Sequence, residues 1–196
     1  MTAIILAGGK SSRFGSDKAF IKIYGKPLIE RQVKILKNIF KKIIIVTNNP
    51  GNYKFKKVKV VKDIIAGCGP LSGIHAGLVL SDSFYNFVVS CDMPNLSLDL
   101  IRYLISIKDG FDVVVPKLKN GFETLFAIYS KNCILPIYEL LRGDNLRVTN
   151  FFDKVKLKKV NQEKIIKFGD TNILFMNINT RADLALARKM LEKDYD

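Results

Sequence analysis

Residues 3–9 read AIILAGG, and residues 10–18 continue KSSRFGSDK. The apolar run from Ala3 to Ala7 stops abruptly at Gly8 and Gly9. A short apolar run bounded by glycine suits a strand buried on both faces. The stretch that follows is polar and basic, with Lys10, Arg13 and Lys18 set among serines and Gly15. Glycines let backbone N–H groups come close to a phosphate and donate to its oxygens. Arg13 offers a planar fork of donors and Lys18 a point charge. The loop therefore predicts an anion beyond the end of the first strand. It is neither a Walker loop, which needs GxxxxGK[ST], nor a GxGxxG dinucleotide fingerprint.

Working outward, strand-like and helix-like segments alternate. Strands are predicted at Ala3–Ala7, Ile43–Thr47, Val58–Val61, Phe87–Cys91, Asp112–Pro116 and Leu125–Tyr129. Helical patterns are predicted at Leu28–Phe40, Leu71–Leu80, Leu98–Ile107 and Asn132–Leu141. The alternation predicts a three-layer α/β/α sandwich with a mostly parallel central sheet, Rossmann-like in plan. The second half is less regular. KVKLKKV and ILFMNIN read as short strands, and TRADLALARKMLEK reads as a helix with Thr180 as N-cap and Asp183 three residues on. No repeat or linker divides the sequence, so one domain is expected over residues 1–196.

In such sheets ligands bind beyond the carboxyl ends of the strands, near the point where strand order reverses. Gly8 and Gly9 follow the first predicted strand, Asn48 the second, Asp63 the third and Asp92 the fourth. Asp92 follows the apolar FVVSC and precedes Met93-Pro94. A carboxylate there is well placed to hold Mg2+, a hard cation that keeps waters and bridges phosphate oxygens. Ser97 is the better N-cap for the helix that follows. Pro70 and Gly73 suit a helix start packed closely on a ligand, and His75 reads as an ordinary helix histidine.

Composition excludes some classes. The 196 residues are 48% hydrophobic and 26% charged, with no apolar run long enough to span a membrane. TAIILA is too short for a signal peptide, so a cytoplasmic protein with no membrane contact is expected. Cys68, Cys91 and Cys133 stand far apart, and there is one histidine, which argues against a zinc site or a disulfide framework. The net charge of +14 raises nucleic acid as a partner. The lysines, however, interleave with apolar residues on predicted strands and helices, as on solvated faces. No nucleic-acid partner is expected, although the charge favours polyanionic small substrates.

The pattern LAGGxxxRxGxDK followed by GKPL resembles the loop of nucleotidyltransferases, and specifically that of the molybdenum cofactor guanylyltransferases. KDIIAGCGPLSGIHAGL, VVSCDMPNL, TLFAIYS and FMNINTRADL resemble further segments of that family, in order. The resemblance implies transfer of GMP from GTP to the terminal phosphate of molybdopterin, with pyrophosphate released and Mg2+ as cofactor. It implies Arg13, Lys18 and Asp92 as catalytic residues. Leu6, Ala7, Gly8, Gly9, Asn48 and Asp63 would meet the nucleotide. Asn177 and Asn179, alternating on a predicted strand end, would sit near the metal and the pterin phosphate. Asp63 would accept from the exocyclic amine of guanine. Transient contact with proteins that deliver or receive molybdopterin would follow. CTP in place of GTP, a sugar phosphate as acceptor, and a non-catalytic nucleotide sensor are the alternatives. Three stretches depart from the family. Glu123-Thr124 stands where His-Pro is common, Arg181-Ala182 where Pro-Glu is usual, and Arg142–Phe152 keeps Arg147 but matches only loosely. A carboxylate at 123, on the side expected to meet the acceptor, would repel an anionic pterin unless it is paired or turned away.

Overall fold

The computed structural model describes residues 1–8, 18–65 and 67–191. Strands run in chain order as β1 (Thr2–Leu6), β2 (Lys22–Ile23), β3 (Lys26–Pro27), β4 (Lys42–Val46) and β5 (Lys59–Val61). They continue as β6 (Tyr85–Ser90), β7 (Val113–Leu118), β8 (Gly121–Phe122), β9 (Phe126–Ser130) and β10 (Leu157–Asn161). Helices are α1 (Leu28–Leu36), α2 (Gly69–Leu80), α3 (Leu98–Ser106), α4 (Ile134–Leu141), α5 (Gln162–Ile165), α6 (Thr171–Leu174) and α7 (Arg181–Leu191).

The central sheet has the order β10-β7-β9-β6-β1-β4-β5, with β8 paired to β7. β5, β4, β1 and β6 are mutually parallel; β9 runs antiparallel between β6 and β7. The chain builds outward from β1 to β4 and β5 on one side, then returns to add β6 on the other. The reversal falls between β1 and β6, where Leu6 lies opposite Ser90.

Side chains of β1 alternate between two cores, as the period of a strand requires. Ala3 and Ile5 join Ile29, Val33, Leu36, Leu100 and Leu104 from α1 and α3. Ile4 and Leu6 join Leu71, Ile74, Leu78 and Ile137 from α2 and α4. The sheet is thus covered on both faces, which is why its strands read as near-continuous Ile and Val. α2 lies very close to β1. A Cβ at Gly77 would stand 2.6 Å from Ile4 Cγ2, so only glycine allows this approach.

A smaller core joins distant parts of the chain. Ile21, Ile23 and Leu28, on and beside the β2–β3 hairpin, pack with Ile178, Ala187 and Leu191. The hairpin turns at Tyr24 and Gly25, both at positive φ (48° and 75°), the geometry of a two-residue type I′ turn.

The capping expectations hold. Ser97 Oγ accepts from Leu100 N at 3.2 Å. Thr180 Oγ1 accepts from Asp183 N at 3.1 Å, and Asp183 Oδ2 accepts from Thr180 N at 2.7 Å. KVKLKKV does form a strand, β10. ILFMNIN does not. Asp170 accepts from Asn172 N through its side chain and starts the one-turn helix α6 instead. The buried residues that follow, Leu174, Phe175 and Ile178, do not alternate as a strand would require. No helix among the described residues is long and apolar enough to cross a membrane.

Candidate active site

Two features meet at the carboxyl ends of the parallel strands. The first is a cavity of about 470 Å³ lined by Leu6, Gly8, Val46, Asn48, Asp63, Gly67, Gly69, Pro70 and Gly73. Four of the positions named from the sequence are therefore brought together: Leu6, Gly8, Asn48 and Asp63. The walls are mostly strand ends and the first turn of α2. That turn begins with Gly69 at positive φ and Pro70, and no side chain caps it. The first N–H groups of a helix have no partner within the helix itself, which suits such a start to an anion or to water. A Cβ at Gly73 would lie 3.1 Å from Leu6 Cδ2 and 3.7 Å from Asp63 Oδ1, so glycine keeps this wall thin. Burial pushes the Asp63 carboxyl above the ordinary aspartate range, and the Ser72 hydroxyl draws it part of the way back. Ala7 is buried, and its N–H donates to the Val46 carbonyl.

The second feature is charged. Asp92 sits just past β6, and its Oδ2 lies 3.5 Å from Lys18 Nζ. Lys18 Nζ also donates to Asn179 Oδ1 at 2.7 Å. Ser90 Oγ donates to Asp92 Oδ1 at 2.5 Å, and Ile178 N donates to the Asp92 carbonyl at 2.9 Å. The Asp92 side chain keeps 17% of its surface exposed, so carboxylate lone pairs remain open to a ligand. Residues 18 and 179 meet because the third core holds the hairpin against the segment around Ile178. The two features adjoin: Cys91 N donates to the carbonyl of Leu6, a residue that lines the cavity.

Asn177 and Asn179 do not lie on a strand. The strand expected under them is a loop, and Asn177 Nδ2 turns to the Phe175 carbonyl at 3.2 Å. Only Asn179 reaches Lys18. Gly9 and Arg13 lie outside the described residues. Reading the sequence missed Gln32 and Ser90. The signal for Gln32 was a polar residue within the apolar stripe Leu28, Ile29, Val33, Leu36 of α1.

Glu123 follows β8, near the end of the sheet where β6 leads to Asp92. Ser90 N donates to the Leu125 carbonyl, and Tyr129 Oη donates to the Thr124 carbonyl. Burial alone raises the Glu123 carboxyl, and it makes no ion pair among the described residues. His75 is buried against Tyr138, with its ring centroid 5.9 Å away, as a core histidine.

No group of three or more His, Cys, Asp or Glu that could cage a metal occurs among the described residues. A lone carboxylate such as Asp92 fits a hard divalent cation, which takes one or two carboxylates and fills its remaining positions with phosphate oxygens and water.

A family model described as "MobA-like NTP transferase domain" matches residues 3–156. The chain is 40% identical to a probable molybdenum cofactor guanylyltransferase of Pelotomaculum thermopropionicum, covering 97% of this chain and 93% of that one. It is 34% identical to the molybdenum cofactor guanylyltransferase of Desulfosudis oleivorans, covering 98% and 96%. Among solved structures, it superposes on molybdopterin-guanine dinucleotide biosynthesis protein A from Archaeoglobus fulgidus with a TM-score of 0.84. That match has 25% identity and covers 98% of this chain and all of the other.

Proposed function

The chain belongs to the family of MobA-like NTP transferase domains, and we propose that it transfers GMP from GTP to molybdopterin. The observation that carries this reading is the junction of the cavity with the Asp92–Lys18 pair at the β1–β6 reversal. The cavity suits a nucleoside, and the charged pair suits its phosphates. We also propose that residues 1–196 act as one nucleotidyltransferase domain, and that the protein works in the cytoplasm. Transient contact with proteins that deliver or receive the pterin belongs to the same reading.

Guanine would lie between Gly73 and the Asp63 side of the cavity, with the Asp63 carboxylate accepting from the exocyclic amine. Backbone from Leu6 to Gly8 would border the ribose and α-phosphate, and Asn48 would add a polar contact. A terminal phosphate oxygen of molybdopterin forms a bond to the α-phosphorus. The bond from that phosphorus to the bridging oxygen breaks, and pyrophosphate leaves with the electron pair. Lys18 stabilises the charge that builds on the phosphates, and Arg13 would assist at the leaving group. Asn179 holds Lys18 Nζ in place. Enzymes of this kind commonly use a divalent metal, and here Asp92 would hold it. Mg2+ bound there would supply charge neutralisation across the phosphate oxygens. No nucleophilic side chain is required, because positioning and charge stabilisation supply the rate.

The test is turnover of purified protein with Mg2+ and molybdopterin, given GTP or CTP in parallel. Pyrophosphate and a guanine dinucleotide from GTP alone are expected. Product from CTP alone would overturn the assignment of Asp63. Nucleotide binding with no product from either would overturn the acceptor.

A further inference from the structure

Gln32 is 1% exposed, on the face of α1 that packs against the sheet. Its neighbours on that face are Leu28, Ile29, Val33 and Leu36, all buried. Its side-chain nitrogen donates to two backbone carbonyls, Ser90 O and Met93 O, each at 2.8 Å. Those carbonyls bracket Asp92. They also belong to one turn, since Met93 N approaches Ser90 O at 3.5 Å. One amide therefore ties both ends of the turn that carries the carboxylate, from a helix some sixty residues earlier in sequence. Its own oxygen, Oε1, is buried with no partner among the described residues. An unpaired buried acceptor is a cost in stability that an apolar residue would avoid. The two donors are spent where they fix the orientation of Asp92.

We propose that Gln32 is a positioning residue that sets the Asp92 carboxylate for its metal, acting through the backbone of residues 90–93. The proposal rests on the reading that Asp92 holds a divalent cation with the nucleotide phosphates. Asp92 is then held on three sides: by Ser90 Oγ at Oδ1, by Ile178 N at its carbonyl, and by Gln32 across its turn. Outer partners of this kind commonly change metal affinity by about 10- to 100-fold when removed.

The experiment measures Mn2+ affinity by electron paramagnetic resonance, with the full-length protein saturated by a non-hydrolysable GTP analogue. The variants are Gln32→Met, Gln32→Leu, Val33→Ala and Asp92→Asn, each also melted. Gln32→Met and Gln32→Leu keep the volume and remove the donors. They are expected to weaken Mn2+ about tenfold and to lower the melting temperature, because the Ser90 and Met93 carbonyls lose their donor. Val33→Ala, a packing change on the same face, is expected to lower the melting temperature and leave Mn2+ affinity alone. If either folded Gln32 variant binds Mn2+ as the parent does, while Asp92→Asn loses it, the positioning role is wrong and the metal site stands. If folded Asp92→Asn binds Mn2+ normally, the metal reading itself fails and the proposal falls with it.

Discussion

The cavity and the charged cluster are built by opposite means. The cavity is made by leaving side chains out: Gly8, Gly67, Gly69 and Gly73 line it, and Gly77 below lets α2 close on β1. The cluster is made by bringing side chains in, from Lys18, Gln32, Ser90, Asp92 and Asn179. The cavity is held by the sheet and one helix start, whereas the cluster depends on a small separate core that joins the hairpin to the segment at Ile178. The difference predicts a division of labour. Changes in the cavity act on which base binds, and changes in the cluster act on how the phosphates are held and how fast they react.

The strongest test of that division is Asp92→Asn. Turnover is expected to fall about a thousandfold, while metal-free GTP affinity, read by calorimetry, stays within twofold of the parent. A parallel loss of affinity would merge the two regions into one. Next, Lys18→Ala is expected to cost about a hundredfold in kcat/KM and to weaken GTP more than guanosine. Equal losses for both ligands would take Lys18 away from the phosphates.

On the cavity side, Asp63→Asn is expected to cost about tenfold in GTP affinity and to narrow the preference for GTP over CTP, with kcat for bound GTP little changed. The pH dependence has a definite sign. Guanine recognition needs the carboxylate form, and burial raises the pH at which Asp63 takes up a proton. GTP affinity should therefore decline on acidification starting above the ordinary aspartate range, and Asp63→Asn should abolish that decline. Gly73→Ala is expected to have the smallest effect. The new methyl meets the end of the flexible Leu6 side chain at 3.1 Å, so about a threefold loss of GTP affinity is expected, with kcat unchanged. A larger fall in kcat than in affinity would break the division.

The two regions were unequally legible in the sequence. The cavity could be read because its signals are local: an apolar strand stopping at Gly8, a helix opening at Gly69-Pro70, an acid at the end of a strand at Asp63. Asp92 and the Ser97 cap were legible for the same reason. Lys18 was named from its basic loop and Asn179 from the resemblance, but that the two meet, and that Gln32 and Ser90 join them, was not legible, because the cluster is made by packing across the chain. Nothing local in FMNIN says that Asn179 meets a lysine 161 residues earlier. The apolar ILFM favoured a strand, but the Asp170 cap and the absence of alternation decided for a helical turn, and Asn177 turns to the Phe175 carbonyl while Asn179 takes Lys18. Gln32 went unread although it stands within the apolar stripe of α1, because what it holds became visible only once β6 and its turn were laid against that helix.

The central claim is that the cavity and the cluster are two halves of one nucleotide site. The most direct measurement is a crystal structure of the protein with Mn2+ and a non-hydrolysable GTP analogue, with anomalous scattering used to locate the metal. The account predicts guanine in the cavity against Asp63 and Gly73, phosphates running toward Lys18, and the Mn2+ peak on the Asp92 carboxylate. A nucleotide bound elsewhere, or an Mn2+ peak away from Asp92, would contradict it.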